Sequence, residues 1–525
     1  MTRDDPVEAA EDFVADGAGR LAEMAGVATA LLRNVGQHVR ALADDVADDA
    51  EEIARDAEEL LDDTRDRLED ARGAVRAAPR LARIVAEGLA LLARHRIGGA
   101  WAAAHSELTG QRREPDAALH RHTARRLRVL CEDLRGGVLK LGQFASTRRD
   151  LLPEVYGEEL AKLQDRVPPV PTERAVARLA RELGPDWGER FASFEPAPLA
   201  AASLAQVHGA TLADGTPVAV KLLVPEIEDV VEADLAALRV LLPRVRDLVD
   251  RVDVDTLAAE LSRSVRRELD LEAEAQAARE LRAAFADDPD VIVPAIHGEA
   301  SSRGVLVMER IDGERLTDFL DACERRGEAG ARDRDRVLET LVRCFCEQVL
   351  VHGVFQADPH PGNFLVAAGP DGPRLALLDF GCIERYAPEV RRDYAALAVA
   401  ILARDEARMI ERFESLGFRS RDGGHDGLAA YAELFLSAFR AGMRLEDGAE
   451  HAAQVARVLE QTGADPIVEI PGHFVLLGRV FASLGGLLLR YRPRLELGAL
   501  LAPSLLTALG PSAERPPASG AETAF

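Results

Sequence analysis

The stretch ADPHPGNFLV at residues 357–366, followed by LALLDFG at 375–381, constrains this chain more than any other part of it. Asp358 and Asn363 stand five positions apart in a polar loop between apolar segments. Asp379 opens the DFG tripeptide after an apolar run, 16 residues beyond Asn363. Two carboxylates and an amide in this order can align an attacking oxygen and hold a divalent cation against phosphate oxygens. DFG by itself is a weak signal, and an isolated D-x4-N is weaker. Their order and separation together are much stronger, and they match the catalytic half of phosphoryl-transfer enzymes of the kinase type.

The other half of such machinery is sought upstream. VAVK, Val218 to Lys221, follows strand signals at Gln206–Thr211 and the turn Asp214-Gly215. A lysine ending an apolar strand is expensive to bury without a partner, and in kinases it grips phosphates and pairs with a helix glutamate. VLVMERI, Val305 to Ile311, reads as a strand leading to a hinge at Met308 and Glu309, whose backbone would hold adenine. The partner glutamate belongs in RRELDLEAEA, inside a helical pattern from about Val254 to Phe285. Asp270 and Glu274 are spaced i, i+4 and share a helix face. Glu268 would sit about 200° from Asp270 on an ideal helix. Either a second element covers Glu268, or a helix starts nearby. The nucleotide loop is the anomaly. PLAAASLAQVHGA has no GxGxxG; Ala200, Ala201, Ala202 and Ser203 stand where glycines are expected. Alanine lets backbone N–H groups approach phosphate but disfavours positive φ, so the loop should be stiffer.

Bulk properties narrow the class. A chain of 525 residues carries two to four domains. A formal charge of −25 argues against general nucleic-acid binding. Five cysteines without CxxC pairing read as reduced, buried thiols. The acidic start has no apolar h-region. No apolar run reaches the roughly 20 residues of a membrane span, and the best, Val480 to Leu489, is cut off by Arg479 and Arg490. A cytoplasmic protein is expected, with peripheral membrane contact left open.

Five regions are expected. Residues 1–104 form an acidic helical region, 105–170 a helical extension, 171–315 a smaller lobe, 316–508 a mostly helical lobe, and 509–525 a disordered tail. In the first, 14 acids and 3 arginines between Asp44 and Asp70 overlie a stripe of Val46, Ala50, Ile53, Ala57 and Leu60. It reads equally as a coiled-coil seam or a solvated, partly disordered tail. A second stripe, Leu81, Ile84, Val85, Leu89 and Leu92, lies among Arg80, Arg83, Arg94 and Arg96. It could rest on an anionic membrane, but the plainer reading, packing on its own domain, is preferred. His208 and His360 belong to no Cys/His cluster; His360 is expected to brace its loop, and Cys382 to be packed.

Together these segments resemble the ABC1/UbiB/AarF (ADCK) family of atypical kinases over roughly residues 105–500. GGVLKLGQFAST resembles its KxGQ region, PLAAASLAQVH its Ala-rich loop, RRELDLEAEA its ExD helix, and FQADPHPGN with LLDFG its catalytic and metal loops. The resemblance implies an α+β, bilobal protein-kinase-like fold with a helical N-terminal extension. It implies that Lys140, Gly142 and Gln143 belong to an extension folded across the active site, contacted by Glu268 and Asp270. Glu274 would pair with Lys221. Asp358 would be the catalytic-loop aspartate, and Asn363 and Asp379 would bind Mg²⁺. Two departures stand out: Gln356 where His is common, and Leu271 where Tyr is common. Some bacterial members have hydrophobic C-terminal spans, and none is read here.

The expected activity is Mg²⁺-dependent binding of ATP or ADP, with ATP hydrolysis or phosphate transfer to a small or lipidic, quinone-type acceptor. The rival expectation is a nucleotide-gated lipid-binding or scaffold protein with little turnover. A conventional protein kinase is disfavoured by the KxGQ extension and the missing His-Arg before Asp358.

Overall fold

The computed structural model describes residues 79–88, 90–92, 94, 117–147, 154–163, 169–246, 265–420 and 471–510, with 259, 262, 263, 428, 429 and 467–469. The acidic stripe at 46–60, Leu89, Arg96 and the tail beyond residue 510 lie outside the described residues. The chain divides into two compact units, Met1–Glu272 with His297–Met308, and Ala273–Ile296 with Glu309–Phe525.

The first unit holds a helical body and a sheet. Its helices are α1 (79–88), α2 (Ala117–Leu134), α3 (Gly136–Thr147), α4 (Glu154–Leu160) and, further on, α6 (Ile227–Arg246). Leu81, Ile84 and Val85 of α1 are buried with Cys131, Val138, Leu139, Leu160, Ala236 and Ala237 in one cluster. Apolar residues at 3–4 spacing make this face, and it turns inward. The arginine-flanked stripe therefore packs on its own unit, as preferred, and does not present Leu81, Ile84 and Val85 to a membrane.

One of the arginines beside that stripe has a role that no pattern in the sequence names. Arg80 reaches Asp234 of α6 with two bonds, Nε–Oδ1 at 2.6 Å and Nη2–Oδ2 at 2.8 Å. It also donates to the carbonyls of Leu134 at 2.6 Å and Arg135 at 2.8 Å, where α2 ends. Asp234 in turn accepts from the Val138 N–H, in the first turn of α3, at 2.9 Å. A cation caps one helix C-terminus and an anion the next N-terminus, each satisfying groups left open by the helix ends. Arg135 and Gly136 make the sharp step between the helices at φ +55° and +60°. A Cβ on Gly137 would lie 2.8 Å from the Asp234 carboxylate, so the Gly-Gly pair is what allows the clamp to close.

The sheet has the order β1 (Phe191–Ala201), β2 (Ala205–Leu212), β3 (Pro217–Leu223), β5 (Val305–Glu309). The expected turn joins β2 to β3: Gly215 has φ +90° and the Thr216 N–H bonds Asp214 Oδ1 at 2.8 Å. Val218, Val220 and Leu222 point to one face and pack with Ala175 and Leu179 of α5 (Thr172–Leu183). Strand alternation puts Lys221 on the opposite face.

The second unit is mostly helical around a larger core, with α8 (Leu316–Arg325), α9 (Glu328–Cys346), α10 (Pro388–Ala403) and α11 (Glu406–Leu416). Its sheet has the order β4 (Val291–Ile292), β9 (Gly372–Leu377), β8 (Phe364–Gly369), β6 (Glu314–Arg315). A separate pair joins β7 (Val354–Gln356) to β10 (Ile383–Arg385). Helix α12 (Gly472–Tyr491) corrects the expectation that no segment is long enough to span a membrane. Among the described residues it is the one helix that passes by length and composition, because it accommodates Arg479 and continues to Arg490. One face of it lies in the core, with Phe474, Leu477, Val480, Leu484, Leu487 and Tyr491 in the main cluster, while Phe481 and Leu489 are exposed.

The helical pattern from Val254 to Phe285 is likewise corrected. The N–H groups of Leu269 and Asp270 bond the carbonyls of Arg266 and Arg267, each at 3.2 Å, which closes a tight turn. Helix α7 starts afresh at Leu271 and runs to Ala284. A helix start lies between Glu268 and Glu274, one of the two solutions the spacing left open.

Candidate active-site residues

In the first unit, α3 carries Lys140 and Gln143 on the helix that the Arg80–Asp234 clamp holds. The Lys140 ammonium lies 2.9 Å from Glu268 Oε1, so the extension and the ExD turn meet as the resemblance implies. Both side chains are about one quarter exposed, at 26% and 25%. Gly142 is a packing residue: a Cβ there would lie 2.7 Å from Leu163 and 2.8 Å from the Cys131 sulfur. The Gln143 carbonyl accepts from Ser146 Oγ at 2.6 Å. Asp270 sits in the turn before α7, and Leu271, where the family pattern has Tyr, is buried.

The Ala-rich loop is the tip of the β1–β2 hairpin and not a helix. Ala200 and Ala201 end β1, and the Ala202 N–H bonds the Ala205 carbonyl at 2.8 Å around Ser203. No residue in this tip has positive φ, as expected where alanine replaces glycine. Behind it a buried chain of polar groups runs through β2. His208 Nδ1 meets the Glu195 carbonyl at 2.8 Å, so Nδ1 carries the proton. His208 Nε2 then accepts from Gln206 Nε2 at 2.7 Å, and Gln206 Oε1 accepts from the Val170 N–H at 3.1 Å. Burial lowers the His208 pKa below its ordinary 6.5, against the carbonyl bond that raises it. This is a satisfied core histidine. Lys221 pairs in register with Val207 of β2. The chain passes from the first unit to the second between Met308 and Glu309. The Glu309 N–H already bonds the Ala295 carbonyl at 2.8 Å, so an adenine contact through it would displace that bond.

In the second unit the two loops named first are braced against each other. The Ala357 N–H bonds the Cys382 carbonyl at 2.8 Å, and the Leu378 N–H bonds the Asn363 carbonyl at 3.0 Å. Gln356 completes the brace, its side-chain amide donating to the Asp379 carbonyl. Its own N–H is held by Gln348 Oε1 at 2.9 Å, from a π-helical turn over Glu347–His352. The residue that departs from the family pattern thus ties the Asp358 loop to DFG. Its Oε1 is buried with no hydrogen-bond partner among the described residues. His360 braces the loop as expected, its Nδ1 accepting from the Gly362 N–H at 3.1 Å. Cys382 packs against the main core. Glu274 is buried, and its Oε1 accepts from the Phe380 N–H of DFG at 3.4 Å.

The donor set suits magnesium. Asn363 Nδ2 donates to the Asp358 carbonyl at 3.1 Å, which leaves Oδ1 as the ligating end of that amide. Asp379 Oδ1 accepts from the Gly381 N–H at 3.1 Å, which fixes its carboxylate. One amide oxygen and one carboxylate suffice when phosphates and water supply the remaining ligands. Among the described residues no group of three or more His, Cys, Asp or Glu gathers to cage a metal.

Sequence reasoning missed Arg479 and Ser483. Arg479 Nη2 lies 3.4 Å from Asp358 Oδ1, and Ser483 Oγ donates to the Pro359 carbonyl at 2.7 Å. Arg479 had registered only as a break in an apolar run. The one available signal was its i, i+4 spacing to Ser483 on a helix.

Two braced loops carrying D-x4-N and DFG, an Ala-rich hairpin tip on the sheet that carries Lys221, and a KxGQ helix tied to an ExD turn point to a kinase-like class of protein. A family model, the ABC1 atypical kinase-like domain, matches residues 162–413. "Probable protein kinase UbiB" of Pseudomonas aeruginosa is 34% identical over 394 residues, covering 72% of this chain and 70% of the relative. The protein of the same name from Marinobacter nauticus is 40% identical over 285 residues, 53% of this chain and 51% of that one. The chloroplastic Arabidopsis thaliana protein "Activity of bc1 complex kinase 3" is 41% identical over 287 residues, covering 54% of this chain and 39% of that one. The matches thus span about half or less of two of these relatives. Among solved structures, Rv3197 of Mycobacterium tuberculosis in complex with erythromycin is 26% identical, with a TM-score of 0.52 over 75% of this chain and 98% of that one. The chain belongs to the ABC1/UbiB family of atypical kinase-like proteins.

Proposed function

We propose that this chain binds ATP with Mg²⁺ and either hydrolyses it or transfers its phosphoryl group to a small or lipidic acceptor, in support of isoprenoid-quinone or lipid metabolism. The observation that carries the reading is the hydrogen-bonded bracing of the Asp358–Asn363 loop against DFG, through Gln356, Ala357 and Leu378. Lys221 would take the α/β-phosphates, and Glu274 would hold it in place. Asn363 and Asp379 would hold Mg²⁺, which bridges phosphate oxygens and offsets developing charge. Asp358 would accept a hydrogen bond from the attacking hydroxyl or water and align it. The backbone N–H groups around Ala200–Ser203 would approach phosphate, and the Met308–Glu309 hinge would face adenine. Lys140, bound to Glu268, keeps the KxGQ helix in contact with the ExD turn. That supports a small acceptor over a folded protein substrate. Peripheral contact with a membrane fits a lipidic acceptor.

The test combines thermal stabilisation by ATP and ADP with phosphate release, each with and without Mg²⁺ and anionic liposomes. Wild type should be stabilised by nucleotide only with Mg²⁺, and Lys221→Ala and Asp379→Asn should abolish the response. A wild type that ignores nucleotide and Mg²⁺ would sink the reading. Binding without turnover, with Asp358→Ala keeping its cellular role, would favour the nucleotide-gated scaffold.

A further inference from the structure

We propose that Arg479, on the C-terminal helix α12, is a positioning residue for Asp358. The inference rests on the reading of Asp358 as the group that aligns the nucleophile, and it assigns a role beyond that reading. The loop from Asp358 to Asn363 contains no lysine or arginine. The cation beside Asp358 comes instead from α12, with Nη2 3.4 Å from Oδ1.

Three observations make this more than a surface ion pair. First, α12 touches the loop twice from one face, through Arg479 and, one turn on, through Ser483 Oγ to the Pro359 carbonyl at 2.7 Å. Second, the rotation of α12 is fixed by burial. Val480, Leu484 and Leu487 lie in the main core, so positions 479 and 483 cannot swing off the loop without exposing that stripe. Third, the two partners differ in exposure. Arg479 is 21% exposed and Asp358 40%, so the guanidinium is the more enclosed member and the carboxylate the more open one.

An aligning carboxylate needs a fixed rotamer. A side chain this exposed would otherwise sample several, and a misplacement of about 1 Å can cost about 100-fold in rate. Arg479 engages Oδ1 and directs Oδ2 to the attacking oxygen. Ser483 keeps the loop backbone beneath it from shifting.

The experiment measures phosphate release from MgATP and thermal stability for wild type, Asp358→Asn, Arg479→Gln, Arg479→Lys, Ser483→Ala and the double variant Asp358→Asn/Arg479→Gln. Enzyme concentrations are chosen to make the residual Asp358→Asn rate readable. Arg479→Gln should lower kcat about 10- to 100-fold with KM for MgATP changed less than about twofold. Arg479→Lys should recover part of the loss. In the Asp358→Asn background, Arg479→Gln should cost less than about twofold, because it acts through the carboxylate. An equal loss in both backgrounds, or a rise in KM matching the fall in kcat, overturns the proposal. If Arg479→Gln does not fold, Ser483→Ala and Arg479→Lys carry the same test: each should lower kcat only while Asp358 is present. A wild type that turns over, slowed by Asp358→Asn but not by Arg479→Gln, overturns this inference alone. A wild type that releases no phosphate overturns the proposed function and this inference with it.

Discussion

The helix that carries Lys140 and the loop that carries Asp358 are each held by a guanidinium against a carboxylate. At the helix the carboxylate, Asp234, is fully buried and Arg80 is 16% exposed. Their remaining capacity is filled by two helix-end carbonyls and the Val138 N–H. At the loop, Asp358 is 40% exposed and its contact with Arg479 is longer, at 3.4 Å. A buried pair with every partner in place fixes structure, and losing one member strands the other in low dielectric. A half-exposed pair adds little stability, because water screens it. It leaves the carboxylate reachable, which is what a group that must meet a substrate requires.

The largest expected effect tests the first half of that contrast. Asp234→Ala should cost about 3–5 kcal/mol, because Arg80 is left buried without its counter-ion and the start of α3 loses its acceptor. Denaturant unfolding would measure it, and a loss below about 1 kcal/mol would put the clamp in the same class as the loop pair. Gly142→Ala comes next. Its Cβ would press on Leu163 and Cys131, with an overpacking cost of about 1–3 kcal/mol read by the same unfolding curves. A smaller loss should appear with acid. Folded His208 has its pKa lowered by burial, so the unfolded chain takes up the proton first. Stability should be full above an ordinary histidine pKa of about 6.5 and fall as the pH drops below it, until the folded histidine itself protonates. His473 shifts in the same direction for the same main reason. His208→Gln should flatten that limb of a melting-temperature profile without abolishing it; an unchanged profile would show that His208 is not the group responsible. The smallest effect is at Lys140. Lys140→Ala breaks a pair that is about a quarter exposed, and should change stability by no more than about 1 kcal/mol. A larger loss would mean that the KxGQ contact is structural in the manner of Arg80–Asp234.

Much of the proposed chemistry was legible because it is written locally. Asp358, Asn363 and Asp379 are read from two short strings, and Lys221 from a strand after the Asp214-Gly215 turn. The strands at β2, β3 and β5 appear close to where alternation places them. The break before α7 was legible only as a conflict. Glu268, Asp270 and Glu274 could not share one regular helix face, and a turn at Leu269 and Asp270 resolves it. Gln356 read as a missing histidine, and only the fold shows its amide on the Asp379 carbonyl. Arg80 carried two readings, since an arginine beside an apolar stripe looks the same whether it faces lipid, water or a buried aspartate.

The sequence by itself determined the family and the kinase-like class and proposed the residues for phosphate and metal, because these readings depend on residue type at fixed short spacing. The tertiary structure alone decided which charges hold those residues in place. Arg80 and Asp234 are 154 positions apart, and Arg479 lies 121 positions beyond Asp358. A single charge on an amphipathic helix has no local pattern that names its partner. Which charges pair is set by helix packing, and the packing is set by apolar faces that leave the charged positions only one direction to point.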